Sequence, residues 1–316
     1  MIRIFSYSSE SNRMETPPIA ELPQHLNDGG RTIWVDLENP TDEETGVLGG
    51  IFGFHILSVE DCIDDSWLPK EDAYDGYTYS VFHAAAPTGT ERLVDQKLDV
   101  FVGANYLVTH HHEEIKGIFD TRGVVAKNPG SLLRSSDWLL HGILNTVIDY
   151  CKPAMDALEE RVNRIADAAG DVGTDLAEAI DLHEDLSKFL AITKHQSAAL
   201  ERFAYSEQSF VAEENRDYFR DVHDHNRHLQ FRLDQGLKRL TWALETVRAA
   251  DTRRTQTAVR LGTVFLTAVS VPLVVINLMS LEAFGLSENV SSWVSIGVTV
   301  AWVGVSLALF KQKKWF

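Results

Sequence analysis

Apolar and polar positions follow three rhythms along these 316 residues. Up to about residue 125, short stretches alternate with a period of two, the mark of half-buried strands. Strands are predicted at 2–7, 32–37, 77–84, 98–102 and 106–109, with Gly103-Ala104-Asn105 as a hairpin turn. Asn39-Pro40 then forms a turn, Thr41 a helix cap, and Asp42, Glu43 and Glu44 an acidic first turn leading toward Phe52. Ser58 reads as the cap of a short helix over Val59-Glu60-Asp61-Cys62.

From about Ser131 the period changes to threes and fours amid dense charge. Helices are predicted at 139–168 and 176–202, and a longer one from Asp217, with no proline before Pro272 and only Gly236 before Gly262. Continued to Leu281, its ~65 residues would extend ~100 Å as a stalk.

The third rhythm is an absence of charge. Residues 261–281 and 291–310 carry none, and each reaches the ~20 residues that a helix needs to cross hydrocarbon. A pair of membrane spans is the expectation, with buried core helices as the alternative. Arg253, Arg254 and Arg260 precede the first span, Lys311, Lys313 and Lys314 follow the second, and the connecting loop holds Glu282 and Glu288 without a base. The positive-inside rule then puts both termini in the cytoplasm of a multi-pass inner-membrane protein.

The first span is striped. Gln256, Arg260, Thr263, Thr267, Ser270, Asn277 and Ser280 recur at helical spacing, and Leu281 and Glu282 complete that end. Such a row lines water in a pore or packs against neighbouring helices. One hairpin cannot enclose a channel, so the pore reading implies a symmetric homo-oligomer in the lipid bilayer.

Charge and composition refine this picture. Acids outnumber bases 46 to 29, a net charge of −17 that disfavours nucleic acid and favours cations. Two cysteines, Cys62 and Cys151, suggest no disulfide framework, and no signal-peptide core opens the chain, so the soluble part is expected in the cytoplasm. There is no glycine-rich phosphate loop, G-x-S-x-G, paired C-x-x-C or H-E-x-x-H, and an enzyme is not expected. In a strand, successive side chains face opposite ways, so His110, His111 and His112 are not expected to share one ion. On the stalk, Asp221 with His225 and Asp224 with His228 are i,i+4 pairs that form either a zinc clamp or a solvated face.

Four segments carry a family resemblance: Trp34-Val35-Asp36-Leu37-Glu38-Asn39-Pro40-Thr41; Leu57-Ser58-Val59-Glu60-Asp61 with Pro69-Lys70; Tyr218-Phe219-Arg220-Asp221-Val222-His223-Asp224-His225; and the terminal Lys311-Gln312-Lys313-Lys314-Trp315-Phe316. In this order they resemble the CorA-type divalent cation channels. The resemblance implies a homopentamer with an α/β/α cytoplasmic funnel domain, a long stalk helix and two C-terminal transmembrane helices. The boundaries that follow are 1–130 for the α/β domain, 131–260 for the helical region, 261–282 for the pore-lining span, 283–290 for the external loop, 291–310 for the second span and 311–316 for the basic tail.

The resemblance also implies Mg2+ or another divalent ion as substrate, and an inhibitory ion shared between neighbouring subunits by Asp61 and Asp221, with Glu60 and Glu245 as an accessory pair. Where the family carries Gly-Met-Asn, this chain reads Leu281-Glu282-Ala283, and the nearest asparagine is Asn277. An Asn277 ring would offer amide oxygen to a hydrated ion, and Glu282 would concentrate cations at the mouth. A Zn2+ transporter of the same fold is one alternative. A non-selective or mechanically gated pore, or a regulatory scaffold, is another.

Overall fold

The alternating stretches near the N-terminus pair into one sheet. A computed structural model describes residues 1–64, 68–87, 93–169, 176–206 and 210–279, together with 293, 296, 297, 300–302 and 304. The strands are β1 (Ile2–Ser8), β2 (Arg13–Glu15), β3 (Arg31–Glu38), β4 (Lys70–Tyr74), β5 (Tyr77–Pro87), β6 (Leu93–Gly103) and β7 (Tyr106–His111). Their order is β2-β1-β3-β7-β6-β5-β4, antiparallel throughout except for the parallel pair β3 and β7.

The helices are α1 (Leu22–Leu26), α2 (Asp42–Gly50), α3 (Ile56–Ile63), α4 (Lys116–Lys127), α5 (Ser136–Ala168), α6 (Leu176–Tyr205) and α7 (Arg216–Met279). Among the described residues the chain divides into two compact units, 1–168 with 175–243, and 169–174 with 244–316. In the first unit one sheet face packs its Ile33, Val35, Leu37, Val81, Phe101 and Val108 against Leu22, Val47, Leu48, Phe54 and Cys62. The other face meets the long helices, where Phe82 lies on Phe203 and Phe203 stacks on Phe219 of α7.

Local chemistry fixes the element ends. Thr41 Oγ1 accepts from the Glu44 amide while the Glu44 carboxylate accepts from the Thr41 amide, a capping box that starts α2 as expected. Ser58 corrects the sequence reading. The cap of α3 is His55, whose Nδ1 accepts from the Leu57 amide, and Ser58 lies inside the helix, its hydroxyl donating to the His55 carbonyl and meeting Tyr77 Oη at 2.8 Å. A serine inside a first turn is a back-bonder as readily as a cap.

The sequence reading did not include α1, β2, β4 or α4. The β4 strand reads as polar because its charges are paired, Lys70 with Asp72 at 3.0 Å and Glu71 with Arg202 at 2.7 Å. Its turn into β5 is Asp75-Gly76, with Gly76 at φ 86°, a hairpin signal plain in the sequence. The α4 helix contains Gly117 and Gly123, which depress helix propensity. At Gly117 a Cβ would lie 2.9 Å from Val147 Cγ2, so the glycine lets α4 approach α5. Likewise β2 is only three residues long.

A buried polar chain ties sheet, α6 and α7 together. The His83 amide donates to Gln196 Oε1, Gln196 Nε2 donates to Asn226 Oδ1, and Asn226 Nδ2 donates to the Thr193 carbonyl. On the outside, Arg232 of α7 donates to both carboxylate oxygens of Glu159 on α5, at 2.7 and 2.8 Å. Because Asn226 is fully buried, its removal strands two partners without water. Asn226→Ala should lower the unfolding free energy by ~2 kcal/mol in a denaturant titration, whereas an exposed change on the same helix, Arg227→Ala, should leave it within ~0.5 kcal/mol.

Candidate functional site

The α3 helix ends beside the sheet with Glu60 exposed and Asp61 half-buried. Asp61 is paired within its own chain, because Lys70 of β4 donates to its Oδ2. Lys70 also pairs with Asp72; partial burial, the largest single influence, lowers its pKa, but the hydrogen bonds it donates to these two carboxylates raise it overall. The side chain expected to hold a regulatory ion thus already has a cation next to it.

On α7, Asp221 is exposed and its Oδ1 lies 3.8 Å from His225 Nε2, one of the two expected i,i+4 pairs. His223 is turned inward, with Nε2 3.0 Å from Ser197 Oγ, and does not join that pair. His228 and Glu245 are exposed, and no other metal-ligating group is gathered around the Asp221 and His225 pair among the described residues. A zinc clamp on the stalk therefore reduces to two ligands.

Farther along α7, Gln256, Arg260, Thr263 and Ser270 are exposed and Thr267 is half-exposed. The hydroxyls of Thr263 and Thr267 donate to the carbonyls four residues back, at 2.8 Å each. Their donors are satisfied within the helix, which makes a threonine row tolerable with or without water beside it. Leu261, Phe265, Leu266, Val269 and Leu273 are exposed along the same segment. Asn277 belongs to α7, but its side chain is outside the described residues, as are Ser280, Leu281 and Glu282. Among the described residues no helix is long and apolar enough to cross a membrane. Of the first expected span, 261–282, the backbone of 261–279 continues α7, and the second, 291–310, falls largely outside the described residues.

The histidines at the end of β7 separate as strand alternation requires. His111 faces Asp36, with Nε2 3.1 Å from its Oδ1, while His110 faces Asp99 on the other side of the sheet. Around Asp36 the first family segment is almost wholly structural. Trp34 Nε1 donates to Thr109 Oγ1 at 3.0 Å, Thr109 donates to Asp36 Oδ1 at 2.8 Å, and Arg122 bridges Asp36 at 3.1 Å and Glu38 at 2.6 Å. Arg3 donates to Glu38 as well, at 2.5 Å. Asp36, Glu38 and His111 are close enough to hold a metal ion, but the two guanidiniums already balance the two carboxylates.

The second such group is Cys62, Asp99 and His110, all buried. Sequence reasoning did not find Asp99. Its signal was a charged residue in an apolar strand, which has to be paired once both faces of the sheet are covered.

A mixed α/β domain flanked by helices and joined to one very long helix is an architecture shared with known cation transporters. The fold is similar to that of the complete CorA magnesium transporter from Methanocaldococcus jannaschii, at a TM-score of 0.77 and 16% identity over 100% of this chain and 99% of that one. By sequence the chain is 30% identical over 227 residues to YfjQ, a candidate metal ion transporter of Bacillus subtilis (strain 168), covering 71% of this chain and 69% of that protein. It is 20% identical over 328 residues to the cobalt/magnesium transport protein CorA of Thermotoga maritima, covering 99% of this chain and 92% of that protein. The family described as CorA-like Mg2+ transporter protein matches residues 29–312, and the chain belongs to it. Its members are membrane transporters of divalent cations and not enzymes.

The Glu38 cluster has a pH signature. Hydrogen bonds from Arg122 first, and then Arg3, pull its carboxyl down from 4.5 to about 2 against the opposing effect of burial. A depressed folded-state pKa contributes stability that is fully present above ~4.5 and is lost as pH falls through ~2, at most about 3 kcal/mol. Thermal melts from pH 7 to pH 2 should show the wild type losing stability across that window. Glu38→Gln should be less stable at pH 7 and show a flatter dependence below 4.5.

Proposed function

We propose that the protein is a homopentameric channel of the inner membrane that conducts Mg2+ or another hard divalent cation, with both termini in the cytoplasm. The observation that carries this reading is the surface of α7 beyond Arg260. A row of Thr263, Thr267 and Ser270, exposed or half-exposed, runs among exposed Leu261, Phe265, Leu266, Val269 and Leu273, a polar stripe on an apolar stretch of helix surface. Exposed apolar surface of this kind belongs against lipid or neighbouring copies.

In this reading the stripe from Gln256 to Ser280 borders the ion path, and a ring of Asn277 amides takes the place of the family's Gly-Met-Asn. Amide oxygen suits an ion that keeps its water. Leu281 and Glu282 form the outer mouth, where carboxylates raise the local cation concentration. A ring of Arg260 would oppose entry, so its guanidinium is assigned to lipid phosphate or to a carboxylate of a neighbouring copy.

Asp61 and Asp221 are proposed to share a regulatory Mg2+ across neighbouring subunits, with Glu60 and Glu245 as accessory acids. Their oxygen donors match a hard cation, and Lys70 is the competitor that keeps Asp61 neutralised when the ion leaves. Loss of the ion then leaves Asp221 unpaired except by His225 and favours an open state. A second reading, Zn2+ transport, is supported by that same Asp221 and His225 pair.

The test is flux into liposomes containing the purified full chain, with Mg2+, Zn2+, Na+ and Cl− followed in parallel. The expected result is divalent uptake that falls at least ~10-fold in Asn277→Ala, with little Na+ or Cl− entry. Equal passage of all four ions, or none, would replace this reading with a non-selective pore or a scaffold without transport. Zn2+ uptake without Mg2+ uptake would establish the second reading. In Asp61→Ala and Asp221→Ala, uptake should no longer decline as internal Mg2+ rises.

A further inference from the structure

Three elements deliver unlike donors to one place inside the first unit. Cys62 on the last turn of α3, Asp99 in the middle of β6 and His110 near the end of β7 present a sulfur, a carboxylate oxygen and an imidazole nitrogen that all lie within 4.8 Å of one another. None of the three is more than 1% exposed. We propose that this cluster is a binding site for Zn2+ or a similar borderline divalent ion.

The geometry needs little adjustment. A tetrahedral ion with ligand distances of ~2.0–2.3 Å holds its donors roughly 3.3–3.8 Å apart. Asp99 Oδ2 and His110 Nδ1 are already 3.3 Å apart, so the longest separation has to close by only ~1 Å. Asp99 is also oriented from behind, since its Oδ1 accepts from the Tyr79 hydroxyl at 2.7 Å and lies 3.2 Å from Lys97 Nζ. Outer partners of this kind fix a ligating carboxylate and are a regular part of metal sites.

Charge sets the terms of binding. Lys97 opposes a second cation, but its ammonium also donates to the carbonyls of Asp61 and Asp64 at 2.7 Å each and of Cys62 at 3.2 Å, at the end of α3. The arriving ion displaces the thiol proton of Cys62, which leaves to solvent, so thiolate and carboxylate together supply two negative charges to a divalent cation. Desolvation and then the neighbouring Asp99 charge push the Cys62 thiol up in the absence of an ion.

Donor type decides which ion. Thiolate and imidazole suit Zn2+ or Co2+, whereas Mg2+ requires oxygen ligands in octahedral array. The site therefore distinguishes the ions that a magnesium pathway has to tell apart, and a bound ion would pin the end of α3 to β6 and β7. It does not depend on how the membrane segment transports.

The test uses the full chain in detergent, stripped of metal and titrated with Co2+. The expected result is thiolate-to-cobalt charge-transfer absorption that saturates at one ion per chain, is displaced by Zn2+ and is unaffected by a large excess of Mg2+. Cys62→Ala should abolish the band. Cys151→Ala, which leaves Cys62 as the only thiol, should retain it and so provides the decisive measurement even if Cys62→Ala folds poorly. Tyr79→Phe should weaken Co2+ binding ~10-fold. A wild type without the band, a band surviving in Cys62→Ala, or a band lost in Cys151→Ala would overturn the proposal.

Discussion

Asp36 and Asp99 sit on opposite faces of one sheet, and neither reaches water. A carboxylate so placed has to be neutralised and hydrogen-bonded from within, since an isolated buried charge costs far more than a domain can spare. Each has therefore collected its own circle. Asp36 holds Thr109, His111 and Arg122, with Arg3 at 3.6 Å, and Asp99 holds Tyr79, Lys97 and His110. Those partners come from β1, β5, β6, β7 and α4, so satisfying two carboxylates fixes the relative register of much of the sheet.

The same constraint explains how the helices attach. Lys97 extends from the Asp99 circle to the carbonyls at the end of α3, where a helix leaves its last carbonyls in need of donors. On the far face, Gln196 and Asn226 bring α6 and α7 onto β5 through hydrogen bonds that are satisfied only in this arrangement. Buried polar chains of this type specify one packing among several of similar apolar area.

Family segments and functional residues are not the same thing here. Trp34, Asp36, Glu38 and Thr41 are spent on the indole bond, the two arginines and the capping box. Their chemistry is that of a scaffold. Asp61 and Asp221, by contrast, keep access to solvent, and among the described residues their side chains pair with Lys70 and His225.

The sequence alone determined whatever depends on periodicity and neighbours. Strands β1, β3, β5, β6 and β7, the Thr41 cap, the three long helices and the division of His110 from His111 all follow from period, cap and alternation over a few residues. The cap of α3 was misread because two polar residues three apart compete for the first turn, and only the environment of Tyr77 assigns Ser58 to the inside. The β4 strand was hidden because its charges are neutralised by Arg202, Asp61 and one another across distances that a local pattern does not carry. Tertiary structure alone brought Cys62 to Asp99 and His110. Asp99 and His110 already face each other across the β6–β7 hairpin, but the arrival of Cys62 depends on where α3 lies, which is a consequence of the whole core and not of any segment.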